Sequence, residues 1–117
     1  MSRVFVVQNQ HRWDRDKQRF EPKFNLAPAE EFGELVFLLS PTAAPFRPEP
    51  IIDELKEKLA DFGPGDHLLL VGNPALIGFA VAIAADANDG DVSLLQWSGK
   101  DQRYIAVDAS GLFTSSD

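Results

Sequence analysis

The chain is expected to fold as a single α/β domain over residues 1–117, with a mixed, mostly parallel sheet of about five strands, two main helices and a C-terminal β-hairpin. Three stretches carry that expectation. Gly65 to Asn88 runs from a short apolar strand through Gly72-Asn73-Pro74 into a helix with no charge before Asp86. Pro50 to Phe62 places Ile51, Leu55 and Leu59 at i, i+4 and i+8, with Asp53, Lys56 and Glu57 on the other side. Val92 to Val107 holds two alternating runs separated by Ser98-Gly99-Lys100-Asp101. Strands joined by helical crossovers run parallel, so Leu35–Ser40, Leu68–Val71 and Val92–Gln96 are expected to form the parallel core, extended by the first strand and the last.

The elements follow in chain order. Val4-Phe5-Val6-Val7, within Arg3 to Gln8, is apolar on both faces and suits a strand inside a sheet. Asn9 to Asn25 is a polar loop or hairpin turning near Asp14 to Gln18. Leu26 to Phe32 is one helical turn closed by Gly33, and Glu34 to Ser40 a buried strand. Four of the eight prolines fall in Pro41 to Pro50, a stiff connector. The amphipathic helix of Pro50 to Phe62 ends at Gly63-Pro64-Gly65. Gly72 then suits a tight reversal, Asn73 a helix cap and Pro74 the first helical position. From Pro74 to about Ala87 the helix is apolar all round and is expected to be covered on more than one side. Asn88 to Asp91 is a turn, the hairpin brings Trp97 near Tyr104, and Ser110 to Asp117 is a loose tail.

Composition narrows the function classes. With 44% hydrophobic residues and no cysteine, the chain can bury a core but has no disulfide, thiolate nucleophile or thiolate metal site. Met1-Ser2-Arg3 leads into only four apolar residues before Gln8, too short a run for an export signal. Leu68 to Ala85 approaches the roughly 20 apolar residues of a membrane span, but Gly72-Asn73-Pro74 interrupts it, so no membrane partner is expected. The formal charge of −7 is uneven: six basic residues against three acidic ones between Arg3 and Lys23 give a local +3, leaving −10 beyond.

No stretch amounts to a catalytic signature, and the chain reads as more suited to binding than to enzymatic work. The strand–helix joint is a weak ligand-binding candidate through Gly72 and Asn73, joined by Asp66 and His67 as a proton-transfer pair. It lacks the glycine-rich dinucleotide pattern and the phosphate-loop lysine, and no cofactor is expected. Asp86, Asp89 and Asp91 lack calcium-loop spacing, so no metal is expected either. Leu76, Gly78, Phe79, Ala82 and Ala85 form the candidate interface on the apolar helix, pointing to a homo-oligomer or another protein. Arg12, Trp13, Arg15, Lys17, Arg19 and Phe20 mix cations with aromatics, a candidate docking surface for a partner or nucleic acid. The interleaved acids and the −10 remainder weigh against nucleic acid.

Phe32 to Leu39, Asp66 to Gly78, Leu94 to Trp97 and Arg103-Tyr104, with Val6-Val7-Gln8, resemble a group of small uncharacterised α/β proteins encoded by tailed, often aquatic, bacteriophages. The resemblance implies a phage-encoded protein in the bacterial host cytoplasm, with no activity or catalytic residues to carry over. In that group residues 9–25 look like a variable segment. The expected function is that of a non-enzymatic accessory protein working through protein–protein contacts. The alternatives are a nucleic-acid-associated factor using residues 11–24 and a small-ligand enzyme at the Gly72-Asn73-Pro74 joint.

Overall fold

A computed structural model describes residues 2–113 of the chain. Its sheet contains β1 (Arg3–Gln8), β4 (Glu34–Leu39), β5 (His67–Leu69), β6 (Val92–Ser98) and β7 (Arg103–Ala109), with β2 (His11–Asp14) and β3 (Arg19–Pro22) pairing separately. The spatial order is β4-β1-β5-β6-β7. All neighbours in it are parallel except β6 and β7. A 3₁₀ helix (Ala27–Phe32) and the helices α1 (Pro48–Lys58) and α2 (Pro74–Ala87) complete the fold.

β1 does not extend the parallel core, as the sequence reading placed it; it lies at its centre, between β4 and β5. Val4 to Val7 are all buried, because the strand is covered on both faces. Phe5 and Val7 pack with Leu55, Leu76 and Ala80 of the two helices and with Leu59, which follows α1. Val4 and Val6 face the other way, against Leu26 and Ala29 of the 3₁₀ segment. The β1-to-β4 connection therefore crosses one face, while α1 and α2 cross the other. Right-handed crossovers running in opposite lateral directions require that arrangement.

β4 is an edge strand rather than a buried one: Leu38 and Leu39 are in the core, but Phe37 is 49% exposed. α1 begins at Pro48, inside the segment read as connector, because the first turn needs few backbone donors and tolerates Pro48 and Pro50. α2 follows its expected bounds, with Asn73 Oδ1 accepting from Ala75 N at 2.9 Å. Its burial does not follow expectation. Leu76, Ala80, Ala84 and Ala85 enter the core, whereas Gly78 and Ala82 lie open on the opposite side. The fully buried face is mostly alanine, and Ile77, Phe79, Val81 and Ile83 pack against the core only in part.

In the terminal hairpin, Trp97 pairs directly with Tyr104 and their rings meet edge to face at 5.1 Å. Of the expected tail, residues 114–117 lie outside the described residues. Residues 110–113 return to the α2–β6 turn, where Leu112 N donates to Gly90 O at 3.1 Å. Among the described residues no helix is long and apolar enough to cross a membrane.

Candidate functional site

The chain leaves β1 towards β4 on one side and leaves β5 towards β6 on the other. The crevice beyond the carboxyl ends of β1 and β5 is therefore a topological switch point, where open α/β sheets hold ligands. Gln8 builds it. Buried at the end of β1, its Nε2 donates to Ser40 O at 3.0 Å and Ala43 O at 2.9 Å, while its Oε1 accepts from Asn73 N at 2.9 Å. One side chain thus ties the ends of β1, β4 and β5 together. Gly72 has φ of +132°, and a Cβ there would stand 2.6 Å from Gln8 Cβ, so the close approach requires glycine.

Beside this knot lies a cavity of about 320 Å³. Leu70, Val71 and Pro28 supply apolar surface, Phe24, Trp97 and Tyr104 aromatic rings, and Gln10, Asn25 and Gly72 the polar contribution. Tyr104 OH donates to Asn25 O at 3.2 Å, and burial pushes the phenol pKa up, which keeps it a neutral donor. Among the described residues no acidic, basic or histidine side chain lines the cavity.

The four residues of the ligand candidate are not brought together. Asp66 and His67 stand at the amino end of β5, Gly72 and Asn73 beyond its carboxyl end. Asp66 is a structural anchor: its carboxylate accepts from Arg3 Nη2 at 2.7 Å, Arg3 Nε at 3.2 Å and Gly63 N at 3.1 Å. Burial works to raise its pKa, but the Arg3 bonds and the Gly63 amide overcome this and hold it below the usual carboxylate value. His67 Nδ1 lies 2.8 Å from Ser93 Oγ, and its ring meets Phe32 edge to face at 5.4 Å. At the helix start, Asn73 N is taken by Gln8, Pro74 has no N–H and Ala75 N is taken by Asn73 Oδ1. A helix start favours anions through its free amides, and here the first of them are engaged inside the fold.

The six docking candidates are brought together on the β2–β3 hairpin. Asp14 Oδ1 shapes its turn by accepting from Asp16 N at 2.9 Å and Lys17 N at 3.2 Å, and Gln18 takes φ of 53°. Trp13 and Phe20 pair across the strands, edge to face at 5.2 Å, and are 50% and 66% exposed. Arg19 pairs with Glu21 at 2.6 Å and Lys17 with the same carboxylate at 3.6 Å, which lowers the Glu21 pKa. Arg12 and Arg15 have no ion pair among the described residues.

A family model described as Phage Pam3 gp32-like protein matches residues 2–110. The chain belongs to the phage Pam3 gp32-like family. This agrees with the phage resemblance carried by the β4, β5–α2 and β6–β7 segments. The matched span also includes the β2–β3 hairpin and every residue of the switch-point cavity. No curated protein and no solved structure matches the chain.

Sequence reasoning missed Gln8, Gln10, Asn25, Trp97 and Tyr104 as parts of one site. Only Gln8 carried a local signal: a polar residue closing a strand that is apolar on both faces must find buried partners. Trp97 and Tyr104 meet within one hairpin, as expected, but their convergence with Gln10 and Asn25 depends on contacts between distant segments.

Proposed function

We propose that this phage Pam3 gp32-like protein is a non-enzymatic accessory protein of the infected cell's cytoplasm, working through protein–protein contacts. The observation that carries the reading is the β2–β3 hairpin. It forms a sheet of its own, and it exposes an edge-to-face Trp13–Phe20 pair flanked by Arg12 and Arg15, which have no ion pair among the described residues. Isolated two-stranded ribbons are marginal in water, and exposed aromatic and arginine groups are the residue types that dominate binding hot spots. Replacing both aromatics, Trp13→Ser with Phe20→Ser, is expected to reduce capture of a specific phage or host protein from infected cells at least about tenfold, with the melting temperature little changed. Identification by mass spectrometry before and after nuclease treatment checks the result. Capture abolished by nuclease would instead favour the nucleic-acid reading, whose cations are the same four arginine and lysine side chains of the hairpin.

The second working part is the outer side of α2. Leu76 and Ala85 serve the core of the chain itself, so the interface candidate narrows to Gly78, Phe79 and Ala82. A Cβ built at Gly78 meets nothing within 4 Å, leaving room for a second backbone to approach. We expect a dimer or larger species by light scattering, and Ala82→Arg should convert it to a 12.9 kDa monomer. Because Ala82 is exposed, the substitution should leave monomer folding intact. A wild-type monomer at high concentration would remove this part of the reading.

A further inference from the structure

We propose that the cavity at the β1/β5 switch point binds an uncharged planar heteroaromatic ring bearing an adjacent hydrogen-bond donor and acceptor, an adenine-like base, and gains nothing from a phosphate. Its volume of about 320 Å³ lies at the lower end for ligand pockets and limits the occupant to one or two fused rings. Trp97, Tyr104 and Phe24 supply aromatic surface for stacking, and Leu70 and Val71 add apolar surface. Gln10 and Asn25 supply carboxamides, the side-chain groups that pair with a ring nitrogen and its neighbouring exocyclic amine. Among the described residues the Gln10 amide has no side-chain hydrogen bond, and the Asn25 carboxamide uses only Oδ1, on Ala27 N, its backbone carbonyl accepting from Tyr104 OH.

The same geometry sets the charge preference. A phosphate at a switch point normally draws on a lysine or the first amides of the following helix. Among the described residues no cation lines the cavity, Lys23 Nζ standing 5.4 Å from the centroid of the Phe24 ring; the Asn73 and Ala75 amides are engaged and Pro74 has none. The chain's net charge of −7 also disfavours an anion. The inference stands independently of the hairpin's role.

The test uses the full chain carrying Trp13→Phe, which leaves Trp97 as the single fluorophore of the two tryptophans. Adenine, adenosine, adenosine 5′-monophosphate and a short oligo(dA) are titrated separately. Adenine and adenosine are expected to change Trp97 emission saturably, with dissociation constants of about 1 mM or tighter. The monophosphate and the oligonucleotide should bind no more tightly than adenosine. Gln10→Leu should weaken adenosine about tenfold, with an unchanged melting curve showing that it folds. Absence of saturation, tighter binding of the monophosphate or oligonucleotide, or full affinity in Gln10→Leu would each overturn the proposal.

Discussion

Gln8→Leu is expected to lower the free energy of unfolding by about 3 kcal/mol, measured by urea denaturation. Leucine keeps the packing volume but none of the polar links. Asn73 N and Ala43 O would lose their partners together, while Ser40 O would keep only its bond from Ala43 N. Each stranded buried group costs roughly 1–3 kcal/mol, and access of water to the outer carbonyls keeps the sum near the lower end. Gln8→Glu should be worse, since the carboxylate would lie against the Ser40 and Ala43 carbonyls that now accept its amide hydrogens. A loss under about 1 kcal/mol for Gln8→Leu would mean that the three strand ends hold together without this knot.

Asp66→Ala is expected to cost about 2–3 kcal/mol, less than the 3–5 typical of a broken buried pair, because Arg3 is partly exposed and can recover water. The variant strands Gly63 N and removes the anchor that joins β1 to the turn before β5. Asp61 also pairs with Arg3, at 3.1 Å, but its side chain is 74% exposed, so Asp61→Ala should stay within about 0.5 kcal/mol. The pH dependence follows from the lowered Asp66 pKa. A carboxylate depressed in the folded state stabilises above its unfolded pKa of about 3.9, and loses that contribution as pH falls towards the folded value. Wild-type stability should therefore fall more steeply than that of Asp66→Ala below about pH 4. Parallel curves for the two proteins would contradict the assignment.

Much of the architecture was legible because its signals are local. The cap at Asn73, the proline at the first position of α2 and the hairpin register that sets Trp97 against Tyr104 each depend on residues close in sequence. The central place of β1 was half legible. Val4 to Val7 announce burial on both faces, but strand order depends on which neighbours arrive later in the chain. β4 shows the converse: Leu35 to Leu39 are apolar enough for an interior strand, yet the fold leaves them at an edge.

The candidate site divides the same way. Arg12, Trp13, Arg15, Lys17, Arg19 and Phe20 could be named as one surface because a hairpin of consecutive residues holds them. Asp66, His67, Gly72 and Asn73 are also close in sequence, but strand β5 separates them to opposite ends of the sheet, since an extended chain carries its two ends far apart. Sequence by itself determined the alternation of strands and helices, the bounds of α2 and the family. Only the tertiary structure decided that Gln10, Asn25, Leu70, Trp97 and Tyr104 share one uncharged cavity, and that one side of α2 stays open. Dihedral preferences and apolar periodicity act over a few residues, whereas the order of strands across a sheet is settled by burial of the whole chain at once.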